Sequence, residues 1–303
     1  MRRACYWGTS SSGARGSRLL WLALSAFFAF ALGLLAAAGP SGAQTNDGAF
    51  LLREGTPPPG ANDPSCRPSA EHPYPVVLVH GTFETMDQNW AVLSPRLRAA
   101  GYCVYALNYG NRGLGPIQDS ARELDRFVDG VLGLTGARKV SLVGHSQGGM
   151  MPRYWIKYLG GKVFVDDLVG IAPSNYGTEL GQPDFRAALG IPNPCVACEQ
   201  QRAGSQFLRR LNAGDDTPGT GSFTQIATDD DEIIVPYTRC FLRGERRTEN
   251  VTLQDYNAGL PVTHQNIYND PFAQRLVFDA LDNPGPRTRN APSPRRSRER
   301  TCP

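Results

Sequence analysis

Residues 139–149, KVSLVGHSQGG, leave this chain little freedom in how it folds. Val140, Leu142 and Val143 make a short apolar run suited to a buried strand. The segment GMMPRYWIKYL, residues 149–159, resumes at helical spacing. Between the two lies Gly144-His145-Ser146-Gln147-Gly148. A serine with glycines two places to either side, strand before and helix after, sits at a strained turn that lifts its hydroxyl clear of the sheet. Gly144 and Gly148 lack the Cβ atoms that would collide as strand and helix approach. A glycine pentad alone is merely a turn. With the strand, the helix and His80-Gly81 upstream, it is the setting of a nucleophilic serine.

The ends distort the composition and are best set aside. Residues 1–43 carry Arg2, Arg3, Arg15 and Arg18, then an uncharged run over 19–38, then Ser41-Gly42-Ala43. Basic, apolar and small-residue regions in that order predict a secretory signal peptide, hence a secreted protein. The apolar run is also long enough to span a bilayer, so an uncleaved N-terminal anchor is the alternative. Residues 283–303 are rich in Pro and Arg, with almost no apolar content, and predict a basic disordered tail. Leader and tail carry +4 and +5 of an overall +3, which leaves −6 on residues 44–282. A mildly acidic body argues against a nucleic-acid surface, whereas the basic tail suits transient contact with anionic lipid.

The remaining chain suits one α/β domain, with 44–73 as an irregular arm and 74–282 as the catalytic domain. Residues 74–79 and 102–109 read as buried strands, 90–100 and 120–134 as helices, and 167–172 as another strand. Alternating strands and helices predict a mostly parallel central sheet with helices on both faces. Residues 173–203 lose this rhythm and read as a long loop or cap. Residues 205–211 look helical, 223–228 and 251–254 form late strands, and 271–281 a closing helix. Residues 112–118 and 179–203 are the candidate lid segments.

A serine hydroxyl is a weak nucleophile until a base removes its proton, and that base needs an orienting carboxylate. In α/β folds of this kind the order along the chain is Ser, acid, His. Of the four histidines, His72 and His80 precede Ser146, and His145 is locked in the turn itself. His264 alone lies downstream and is the predicted base; His80 braces its loop. For the acid, Asp229, Asp230, Asp231 and Glu232 follow a predicted strand, and Asp231 is chosen because it precedes the apolar run EIIVP. Asp216 and Asp255 are reserves. The charge on a tetrahedral intermediate needs two backbone donors. Gln147, after the nucleophile, supplies one, and Thr82 the other, with Phe83 as runner-up.

The segments VVLVHGTF, GHSQGG, APSNYGT, the CVAC pair, TDDDEIIVPY and the late histidine together resemble the secreted bacterial class 2 lipases of the α/β-hydrolase fold. Likeness to cutinases is confined to the serine turn. The resemblance implies carboxylic-ester hydrolysis with Ser146, Asp231 and His264 as triad, Thr82 and Gln147 as oxyanion donors, and no cofactor or metal. It also suggests a Cys66–Cys103 disulfide, while Cys195 and Cys198 suit either a tight local bridge or half a zinc site. By elimination Cys240 would meet Cys302, unless Cys302 is free. Two other functions suit the same residues: acyl transfer on the same triad, and a non-catalytic binding module.

Overall fold

The computed structural model describes residues 55–178, 195–244 and 247–286. The leader, most of the tail with Cys302, and residues 179–194 of the proposed cap lie outside the described residues.

Six strands form one sheet: β1 (Val76–Val79), β2 (Val104–Leu107), β3 (Val140–His145), β4 (Val165–Ile171), β5 (Ser222–Ala227) and β6 (Thr248–Thr252). Their spatial order is β2-β1-β3-β4-β5-β6, and every neighbouring pair is parallel. The strand order turns back between β1 and β3, where Val79 lies beside Gly144. Parallel sheets open a crevice beyond the carboxyl ends of their strands at such a point. His80-Gly81-Thr82 and Ser146 therefore emerge side by side.

Strand side chains alternate between faces, and two cores result. Val77, Val79, Tyr105 and Leu142 pack with Leu124, Phe127, Val128 and Val131 of α3 (Ile117–Thr135) and with Met151 and Trp155 of α4 (Gln147–Tyr158). On the opposite face Val76, Leu78, Val143 and Val169 pack with Trp90 of α1 (Met86–Trp90), Leu93 and Leu97 of α2 (Leu93–Ala99), and Leu276 and Val277 of α7 (Pro271–Asp282). Burying each such side chain contributes about 1.5–3 kcal/mol. Among the described residues two short helices intervene, α5 (Val196–Gln201) and α6 (Gln206–Leu211).

Most elements fall where the periodicity places them. The helix expected over 90–100 is observed as α2 over 93–99, with the separate short helix α1 over 86–90 before it. Pro95 is the reason: without an N–H it is tolerated in a helix's first turn, so α2 starts afresh just before it. Residues 55–73 of the arm are irregular apart from one bridge of Ala61 to Val104, yet they are tied to the sheet. Asn62 donates to the Ala106 carbonyl at 2.9 Å and accepts its N–H at 2.8 Å, covering the edge of β2. The Cys66–Cys103 disulfide closes the same junction.

Cys195 and Cys198 are bonded to each other, so those sulfurs are not half of a zinc site. Cys240 corrects the pairing by elimination: it is a free thiol, fully buried behind β5, where Ala227, Ile233 and Ile234 surround it.

Candidate active site

Ser146 is the N-cap of α4, with φ 53° and ψ −119°. An L-residue holds such a conformation only where its surroundings over-determine it. They do so here. Its N–H donates to the Ile171 carbonyl at 2.9 Å, and its own carbonyl accepts from Gly149 at 3.0 Å and from Ser174 at 3.3 Å. A Cβ on Gly144 would lie 1.9 Å from the Gly148 carbonyl oxygen, and one on Gly148 would lie 2.1 Å from that of Val79. Neither glycine is replaceable without parting strand from helix.

The loop after β6 delivers His264, 2% exposed. Its Nδ1 lies 2.9 Å from Asp231 Oδ2, and its backbone N–H donates to Glu232 Oε2 at 2.8 Å. The other Asp231 oxygen accepts the N–H groups of Ile233 at 2.9 Å and Ile234 at 2.7 Å. With its proton on Nδ1, a neutral His264 presents Nε2 as an acceptor. Among the four neighbouring acids, Asp229 and Asp230 are exposed and Glu232 holds main chain; Asp231 alone meets the ring. Asp255 is exposed, and Asp216 is engaged with the Tyr176 hydroxyl at 2.7 Å and the Arg243 N–H at 2.9 Å.

Thr82 lies in the loop after β1. Its Oγ1 accepts from Gln147 Nε2 at 2.9 Å and from Gln201 Nε2 at 3.0 Å. Both lone pairs are then taken, and the hydroxyl proton is left to donate elsewhere. The Phe83 N–H is committed to the Arg112 carbonyl at 2.8 Å, which disposes of the runner-up donor. The Gln147 N–H opens the first turn of α4, where backbone donors have no partner within the helix. His80 braces this loop. Its Nδ1 lies 2.7 Å from the Gly81 carbonyl, its ring stacks on Tyr109, and burial drops its pKa to about 4, which keeps it neutral.

Sequence reasoning missed Gln201 and Glu84, and took Glu232 only as a candidate acid, whereas it holds the His264 N–H. Gln201 crosses 119 positions to reach Thr82, and its carbonyl oxygen accepts from Ser174 at 2.8 Å. No local pattern marks such a residue. Of the two candidate lid segments, 112–118 is bonded into the body through Phe83 to Arg112 and Ala197 to Leu114.

A serine at a strained strand-to-helix turn, a late histidine on a carboxylate, and a parallel six-stranded sheet with helices on both faces define the α/β-hydrolase fold. Within that fold, the sequence pattern of lipase (class 2) matches residues 73–276, and the chain belongs to that family. Over 88 residues it is 39% identical to a triacylglycerol lipase of Pseudarthrobacter phenanthrenivorans, a match covering 27% of this chain and 27% of that protein. A triacylglycerol lipase of Burkholderia plantarii is likewise 39% identical over 88 residues, 27% of this chain and 24% of the relative. The matched segment thus spans about a quarter of these relatives' length. Among solved structures, Aspergillus fumigatus lipase B superposes with a TM-score of 0.61 at 22% identity, covering 79% of this chain and 65% of that one. At that identity the likeness is one of fold.

Proposed function

We propose that this chain is an exported carboxylic-ester hydrolase that cleaves lipid-like esters through an acyl-enzyme on Ser146. The observation that carries the reading is the buried contact of His264 Nδ1 with Asp231 Oδ2 at 2.9 Å, in a fold that sets Ser146 just past β3, beside β1 whose following loop carries Thr82. Ser146 Oγ attacks the ester carbonyl carbon while His264 Nε2 takes its proton. Asp231 fixes the ring and stabilises the imidazolium. The oxyanion faces the Gln147 N–H and the Thr82 N–H and hydroxyl. Collapse expels the alcohol, which leaves with the proton from His264, and water activated by the same base then releases the acid.

Membership of a lipase family and two triacylglycerol lipase relatives support a lipid-like ester as substrate. The leader and two disulfides support export, since such bonds persist in oxidising compartments. Transient contact with a lipid surface follows from the substrate class. The test is hydrolysis of an ester series from acetyl to long acyl and emulsified triglyceride, with products followed in the presence of added alcohols. Free acid as the main product supports the hydrolase. Dominant new ester would mean acyl transfer, and silence across the series a binding module.

A further inference from the structure

Three segments of the site converge on an imidazole that the chemistry above leaves idle. His145, 1% exposed, stands between the loop after β1, the end of β3 and the loop before α7. Its Nδ1 lies 2.8 Å from Glu84 Oε2, and its Nε2 lies 3.1 Å from the main-chain oxygen of His264. The same Glu84 oxygen accepts the Gly81 N–H at 2.8 Å. Burial disfavours charge on Glu84, but attraction to His145 and the bonds from His145 and Gly81 outweigh it, and the carboxyl is held below its usual range. An ionised Glu84 calls for a proton on Nδ1, and a carbonyl oxygen calls for one on Nε2. A doubly protonated ring donates to both. Asn89 Nδ2, at 3.4 Å, is a longer contact to Nδ1, and the Asn89 oxygen is taken by the Gly81 N–H at 2.9 Å.

We infer that His145, as an imidazolium paired with Glu84, is a positioning residue that ties the oxyanion loop and the nucleophile strand to the main chain of His264. This rests on the reading of His264 as the base. The His264 peptide is held at both ends, its N–H by Glu232 and its C=O by His145. The ring of His264 lies 4.9 Å from that of His145, and Tyr268 packs on His145 at 4.7 Å. The titratable groups facing His145 are therefore Glu84, His80 from the end of β1, His264 and Tyr268. Glu84 and His145 together present no net charge to the base. Without His145, the Glu84 charge stands unbalanced and favours the protonated form of His264.

The test is His145→Gln in the full chain, assayed on a soluble ester. A base loop that has lost one of its ties misplaces Nε2, and kcat falls about 10- to 100-fold with KM within about twofold. The acid limb of the kcat/KM profile moves to higher pH, because a neutral base then exists only there. In Glu84→Gln/His145→Gln the unbalanced charge is gone, so the limb returns towards the wild-type position while kcat stays low. Nitrogen-15 NMR of the histidine-labelled wild type gives an independent reading, with both His145 ring nitrogens protonated at the pH of full activity. A wild type that hydrolyses esters beside a His145→Gln variant with unchanged kcat and an unmoved limb overturns the inference, as does a singly protonated His145. Loss of all activity from the wild type would instead strike the hydrolase reading.

Discussion

The Thr82 hydroxyl accepts a hydrogen bond from Gln201 at 3.0 Å and another from Gln147 at 2.9 Å. Two donors on one oxygen fix where its own proton can point. Thr82→Val removes that proton and should lower kcat by about 10²–10³, the range for loss of one oxyanion donor. Thr82→Ser, which keeps the hydroxyl, should stay near wild type. Gln201→Leu frees the hydroxyl to rotate and should cost kcat about tenfold, with KM little changed. Steady-state kinetics on a soluble ester check all three.

Asp231 accepts two backbone N–H groups besides His264, so its carboxylate is oriented before substrate arrives. Asp231→Asn keeps the size but reverses the donor at Oδ2, which imposes the wrong tautomer on His264. A loss of about 10⁴ in kcat is expected. Asp229→Asn and Asp230→Asn, at exposed positions, should leave kcat within about twofold.

How far the site can be read from sequence depends on how local its causes are. The Ser146 turn is a local steric problem solved by Gly144 and Gly148, so five residues reveal it. His264 is legible by its place in the chain, because the other histidines are excluded. Asp231 is only half legible: four adjacent acids look alike until the chain turns, and the turn buries one and exposes three. Gln201, Glu84 and Glu232 work through partners distant in the sequence, and nothing near them records it. The α1–α2 break was readable from Pro95. The free thiol of Cys240 was not, since elimination counts cysteines without asking which core encloses each.

Asp167 lies on β4 at the end of the sheet away from the site, 3% exposed, with its carboxylate accepting from Ser141 at 3.2 Å and from Ser222. Burial lifts its pKa from 3.8 to about 7, with the two hydroxyl bonds opposing in part. The folded protein therefore holds this proton more tightly than the unfolded chain. The resulting stabilisation is complete below about pH 4 and is lost as pH rises through about 7. Asp167→Asn removes the titration and should melt above wild type at pH 8, by up to about 4 kcal/mol in stability, with the gap narrowing towards pH 5. Thermal melts at the two pH values check the sign.

The Cys66–Cys103 bond closes a loop with a sequence separation of 37. In the chain-entropy model such a loop contributes about 4 kcal/mol. Cys66→Ser/Cys103→Ser should lose roughly that in a denaturant titration while the Ser146 turn, on another part of the sheet, keeps its reactivity. The Asn62 bonds to Ala106 and to the Val104 carbonyl would then still tie the arm to β2.

The central claim is that Ser146 carries the acyl group. Its most direct measurement is intact mass after a fluorophosphonate probe and after rapid quench with a slowly deacylating ester, for wild type and Ser146→Ala. One adduct per wild-type chain, located on Ser146, with none on the variant and hydrolysis reduced by about four orders of magnitude or more, is the expected result. A variant that still hydrolyses esters at a rate near wild type, or an adduct on another residue, would contradict it.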